Sequence, residues 1–148
     1  MRKVDLERFI ALLPDWDELA EGLELVVLDA GRSGTAGWHI RGVVGLCAWK
    51  RDLWIDSRPD FVKEHVSILD RLGVETDSHD AGVLVRWTEE AARAFQLLHV
   101  FLHELGHHHD RMTTRSRNRA ARGESYAELY ATRHADRIWG SYEAAFGW

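Results

Sequence analysis

The segment His103-Glu104-Leu105-Gly106-His107 holds the residue types and spacing with the most chemical potential in this chain. Histidines four positions apart on an α-helix sit about one turn apart on one face, so both imidazoles can reach a single Zn2+ at about 2.0–2.1 Å. The glutamate beside the first histidine can then reach a water at that ion. Zinc lowers the pKa of bound water toward 7, and a nearby carboxylate takes the remaining proton as the oxygen attacks a carbonyl carbon. The expectation is a hydrolytic centre with His103 and His107 as metal ligands and Glu104 as general base. With 9 histidines in 148 residues, chance yields this pattern only about 0.04 times.

A hydrolytic zinc site needs a third protein ligand and an open fourth position. The chain has one cysteine, Cys47, which closes off a thiolate cage or an internal disulfide and reads as a small buried hydrophobe. The third ligand must then be His, Asp or Glu. Glu124 and Glu128 follow His107 by 17 and 21 residues, enough for a loop and an antiparallel helical return, and they share one helix face. Acidic side chains at i and i+4 repel unless something positive lies between them. We assign Glu124 as third ligand and Glu128 as acceptor for a ligand histidine's other ring nitrogen, with the exchanged roles as the alternative.

Other groups near the motif receive plainer readings. His99, one turn before His103, is expected as a packed or hydrogen-bonded neighbour. His108, His109 and Asp110 read as polar residues of the helix end, His134 as a surface residue, and Tyr126 and Tyr130 as core aromatics. Trp38, Trp49, Trp54 and Trp87 are expected to fill the core and line a cleft.

The elements that position these residues follow from periodicity. Thr88 is a helix N-cap followed by Glu89 and Glu90 at the positive helix end. Ala91, Ala94, Phe95, Leu98, Phe101, Leu102 and Leu105 then recur at helical steps, so a long helix with one buried face runs to about residue 109. A last helix spans Glu124 to Phe146, after a polar, Arg-rich connection that includes Arg111, Arg115, Arg117, Arg119 and Arg122. Towards the N-terminus, Val4 to Leu13 reads as a short amphipathic helix and Leu23 to Asp29 as a buried strand. The turn-forming stretch Gly31 to Gly37 introduces extended segments at Val43 to Trp49 and Leu53 to Asp56, a hairpin or meander. Phe61, Val62, Val66, Leu69 and Leu72 make the stripe of a second helix closed by Gly73, and Gly82 to Trp87 is a further strand. No repeat, linker or low-complexity tract interrupts residues 1–148, which read as one α+β domain with a small mixed sheet.

Composition agrees with a folded domain: 45% hydrophobic and 29% charged residues are ordinary globular values. The formal net charge of −5 argues against a chain built to condense on nucleic acid, leaving only the Arg111 to Arg122 stretch as a local basic patch. The amphipathic start is unlike a signal peptide, and no run approaches the roughly 18 apolar residues of a membrane span, so a cytoplasmic protein is expected.

His103-Glu-Leu-Gly-His107 followed by Glu124-Ser-Tyr-Ala-Glu-Leu-Tyr-Ala131 resembles a zincin metallopeptidase of the gluzincin type, most nearly the small intracellular ImmA/IrrE-like domains. A metzincin would need histidine at position 113, which is Thr. The resemblance implies a zincin-like α+β domain with Zn2+ beneath the edge strand of a small sheet and an extended substrate along that strand, here Gly82 to Trp87. It also implies cleavage of an intracellular protein or peptide. Two other functions compete: a catalytically silent zinc-binding regulatory or interaction domain, and a nucleic-acid-associated peptidase recruited through the arginines. Glu104 argues against the first, since a purely structural zinc needs no carboxylate beside its first ligand.

Overall fold

A computed structural model of the chain describes residues 1–31, 34–114 and 122–148. The protein is α+β, with elements in the order α1 (Lys3–Ile10), α2 (Trp16–Leu19), β1 (Leu25–Asp29), β2 (Gly37–Ile40), β3 (Val43–Cys47), β4 (Trp54–Ser57), α3 (Pro59–Glu64), α4 (Val66–Arg71), β5 (Glu75–His79), β6 (Gly82–Arg86), α5 (Glu89–Phe95), a π-helical segment (Gln96–Phe101), α6 (Leu102–Thr113) and α7 (Gly123–Phe146). These form two compact units, one of Met1–Ala48 with Gln96–Trp148 and the other of Trp49–Phe95.

In the first unit β3 is the central strand of a three-stranded sheet, parallel to β1 and antiparallel to β2. Val44, Leu46 and Cys47 of β3 are buried, which matches the reading of Cys47 as a small hydrophobe. Trp38 of β2 lies opposite Gly45, where a Cβ would come within 2.1 Å of the indole, so the ring uses space that only glycine leaves. The indole Nε1 donates to Asp29 Oδ2 at 2.8 Å, fixing β2 to the far strand of the sheet. Phe9 of α1 packs edge-on against Phe101 and Tyr142, with ring centroids 6.0 and 6.1 Å apart. The core of this unit therefore gathers residues from the first helix, the π-helical segment and the last helix.

In the second unit β6 is the central strand, antiparallel to both β4 and β5. This corrects the expectation that Gly82 to Trp87 is an edge strand: Val83 and Val85 are buried and both edges of β6 are paired. Rings of Trp49, Trp87, Phe95 and Phe61 form the aromatic core here. Trp54, by contrast, is 67% exposed, so it fills no core. The second expected helix is two helices, broken at His65 with φ −109° and ψ 11°.

Thr88 caps α5 as its sequence position requires, its Oγ1 accepting from the Ala91 N–H at 3.0 Å. The helical register changes at Gln96–Phe101 and α6 continues to Thr113, beyond the expected end near residue 109. Of the arginine-rich connection, Arg115, Arg117 and Arg119 lie outside the described residues.

Candidate metal centre

The centre is built where α6 and α7 meet, and Gly106 sets how closely they approach. A Cβ on Gly106 would lie 2.9 Å from Ala127 Cα and 3.2 Å from its carbonyl oxygen. The small residue inside the His-Glu-Leu-Gly-His segment thus lets backbone meet backbone, with buried Ala127 and Ala131 on the facing helix.

The start of α7 is held by a residue of α6. Asp110, buried, accepts at Oδ2 from the Arg122 N–H at 2.9 Å and the Gly123 N–H at 3.3 Å. Its Oδ1 accepts from Arg122 Nε at 2.7 Å and Thr114 Oγ1 at 3.0 Å. Arg122 supplies no side-chain cap of its own to α7. Asp110 therefore satisfies N–H groups that a helix start leaves open, from across the helix pair. Burial alone would raise the Asp110 carboxyl, but the hydrogen bonds from Arg122, Thr114 and Gly123 outweigh it and hold the group below the ordinary carboxylate range.

This clamp brings Glu124, in the first turn of α7, over the two histidines. His103 Nε2 and His107 Nε2 are 3.1 Å apart, and Glu124 places Oε2 3.2 Å from the first and Oε1 3.4 Å from the second. Donor atoms on a tetrahedral zinc at the usual bond length are separated by about 3.3 Å. The three side chains thus fit a small tetrahedral cation in both donor chemistry and spacing, and their ligand atoms lie within 4.8 Å of one another.

Glu128, one turn further along α7, lies at the other nitrogen of His103: Nδ1 to Oε2 is 3.3 Å. Neutral imidazole has one N–H and one lone pair. With the Nδ1–H donated to Glu128, the Nε2 lone pair points toward His107 and Glu124. Glu124 thus lies at both Nε2 atoms, and Glu128 at the Nδ1 of His103. The Glu124 side chain is 83% exposed, against 19% for His103 and 20% for His107, so the donors lie half-buried below one solvent-facing carboxylate.

Charge around the centre suits a cation. Burial disfavours the His103 imidazolium, yet the Glu128 hydrogen bond and the charges of Glu104, Glu124 and Glu128 outweigh it and raise its pKa. His107 moves the other way, lowered by burial and by His103 against the pull of Glu124. Burial pushes Glu104 up to about 7, the Glu124 charge adding to the rise and His103 opposing it.

Glu104 faces β2, of which the sequence reading placed Gly37 at the end of a turn-rich stretch and left Trp38 to Ile40 unassigned. A Cβ on Gly37 would come within 2.8 Å of Glu104 Cγ, 2.9 Å of its Oε1 and 2.7 Å of Val100 Cγ1. Two residues along the same strand face, the His39 ring stacks on His107 with centroids 5.8 Å apart and planes at 13°. Burial, followed by the charges of Arg111, His107 and His108, pushes His39 down to about 4. The sequence signal for this strand was the Gly-Trp-His-Ile alternation, masked by the glycines before it.

The helix-end residues have specific partners. His108 is buried and its Nε2 is bonded to the Glu21 carbonyl at 2.9 Å. The His109 Nδ1 lies 2.7 Å from Tyr126 Oη. His134, expected at the surface, is half-buried against Tyr130 with ring centroids 4.3 Å apart, and its Nδ1 is buried without a partner among the described residues. Arg122 is occupied by Asp110 and lies over the Tyr126 ring at 4.0 Å, whereas Arg111 is exposed.

Comparison with protein-family models, with curated proteins and with solved structures found no match.

Proposed function

We propose that the chain is a zinc-dependent metallopeptidase of zincin-like architecture, akin to the gluzincin type and its ImmA/IrrE-like domains, that hydrolyses peptide bonds of an intracellular protein. The observation that carries this reading is the convergence of His103 Nε2, His107 Nε2 and a Glu124 oxygen at 3.1–3.4 Å separations with Glu104 beside the first histidine. Bound by these three residues, Zn2+ would act as a Lewis acid on a substrate carbonyl and lower the pKa of a water toward 7.

The residues of the chain carry the remaining work. Glu104, half-buried between α6 and β2, accepts the proton of the attacking water and returns it to the leaving amine nitrogen. Glu128 keeps His103 in the tautomer that presents Nε2. Among the described residues β2 pairs only with β3, so its outer edge can hydrogen-bond an extended peptide beside Glu104. That strand takes the role first given to Gly82–Trp87. No helix among the described residues is long and apolar enough to cross a membrane, which is compatible with the cytoplasmic site of action proposed here.

Substituting Glu104→Gln tests the reading, because it removes the base and keeps size and polarity. Zinc content should stay at the wild-type level while hydrolysis of an unfolded protein substrate falls about 10²–10⁴-fold. Undiminished hydrolysis by this variant would exclude the mechanism and favour a non-catalytic zinc domain.

A further inference from the structure

His99 lies within the π-helical segment, an uncommon geometry that recurs at functional sites. It is buried, at 8% exposure, and its ring centroid is 5.9 Å from that of His103. Its Nδ1 faces Glu128 Oε1 at 3.8 Å, while the other oxygen of the same carboxylate, Oε2, lies 3.3 Å from His103 Nδ1. Glu128 is thus bracketed by two histidines on one helical face, one oxygen to each.

This cluster can be read in two ways. His99, His103 and Glu128 are close enough to hold a cation themselves, with ligand atoms within 4.8 Å. His103, however, would have to offer Nδ1 to that cation and Nε2 to the one held with His107 and Glu124. A neutral imidazole has only one lone pair, so filling both positions requires full deprotonation of the ring. With a hydrogen on Nδ1 instead, His103 donates to Glu128 and serves one ion only. The second arrangement needs no unusual ionisation and uses both carboxylate oxygens.

We propose that His99 is a positioning residue for the metal centre: its Nδ1, 3.8 Å from Glu128 Oε1 and so just beyond hydrogen-bond reach, closes on that oxygen when the centre is filled, so that Oε2 stays aligned with His103 Nδ1–H, which fixes the ring orientation and tautomer that aim Nε2 at the ion. The inference rests on the metal-centre reading above and extends it to a residue that touches neither metal nor substrate. A carboxylate anchored on one side loses less freedom when its hydrogen bond tightens, so the benefit of His99 is realised through Glu128 and not independently of it.

The test is zinc affinity by competition with a chromophoric chelator, using wild type, His99→Ala, His99→Phe, Glu128→Gln and the His99→Phe/Glu128→Gln double variant. Circular dichroism in excess chelator reports whether each is folded. His99→Phe fills the space without offering a ring nitrogen, which keeps the test usable if His99→Ala loosens the core. Each single variant should bind zinc about 10–100-fold more weakly. The double variant should be no weaker than Glu128→Gln alone, because the path through Glu128 is already cut. Wild-type affinity in folded His99→Phe, or penalties that multiply in the double variant, would overturn the proposal. Two zinc equivalents in the wild type with one lost in His99→Ala would overturn it too, in favour of a second ion. A wild type that binds zinc beside indifferent His99 variants sinks this inference alone. A wild type that takes up no zinc sinks the metal-centre reading and this inference with it.

Discussion

At the scale of single residues, the centre depends on what small side chains leave room for. Gly37 of β2 lies against Glu104, and an added methyl would intrude to 2.8 Å on its Cγ. Gly37→Ala should therefore leave zinc binding near wild type while lowering kcat/KM by about tenfold to a hundredfold, because the nearest atoms the methyl meets belong to Glu104 and Val100 and not to a proposed ligand. Steady-state kinetics alongside a metal assay checks this, and equal losses in both would place Gly37 in the support of the ligands. The placement of His103, Glu104 and His107 together on α6 was legible in the sequence because a four-residue step on a periodic helix fixes their relation locally. The need for glycine at position 37 was not, since it arises from a side chain on an element far along the chain.

At the scale of elements, the pairing of α6 with α7 decides whether Glu124 meets the histidines. Gly106→Ala would place a methyl 2.9 Å from Ala127 Cα, where only backbone movement relieves the clash. It should destabilise the fold by about 1–3 kcal/mol and weaken zinc binding at least tenfold, read from denaturant unfolding and chelator competition. Asp110 acts on the same pairing from the other end. Asp110→Asn should cost about 2 kcal/mol near neutral pH, since a charged acceptor of four hydrogen bonds becomes a neutral amide. A carboxyl whose folded pKa is depressed contributes stability above the ordinary carboxylate range and loses it as pH falls through the folded value. Wild type should thus lose stability more steeply than Asp110→Asn as pH drops below about 4, as acid titration of the unfolding midpoint would show.

The element pattern explains what else could be read. Long periodic helices were visible with errors of a few residues at their ends. Strand β5, Glu-Thr-Asp-Ser-His, is exposed at every position, so it has no apolar alternation to reveal it. The π-helical turn and the break at His65 leave the apolar stripe intact, and periodicity alone cannot signal either. Assigning the site strand failed for a different reason: Gly82 to Trp87 has the stronger strand pattern because it is central and buried, whereas the strand beside Glu104 is short and lies at an edge.

At the scale of the molecule, a cation shared by α6 and α7 would join residues distant in sequence. An ion that binds the folded state at about a hundredfold its dissociation constant adds about 2.7 kcal/mol. For a chain of this length that corresponds to about 5–10 °C in the unfolding midpoint. Adding zinc to chelator-treated protein should produce that rise, and His107→Ala should abolish it. Net charge and composition give no hint of such a dependence, because a centre of two histidines and one glutamate would barely alter either.

The most direct test is the metal content of purified protein after exposure to zinc and removal of the free ion. One equivalent per chain in the wild type, close to none in His107→Ala and in Glu124→Ala, is the predicted result. A wild type without bound metal, or a Glu124→Ala variant that keeps its full equivalent while folded, would contradict the account.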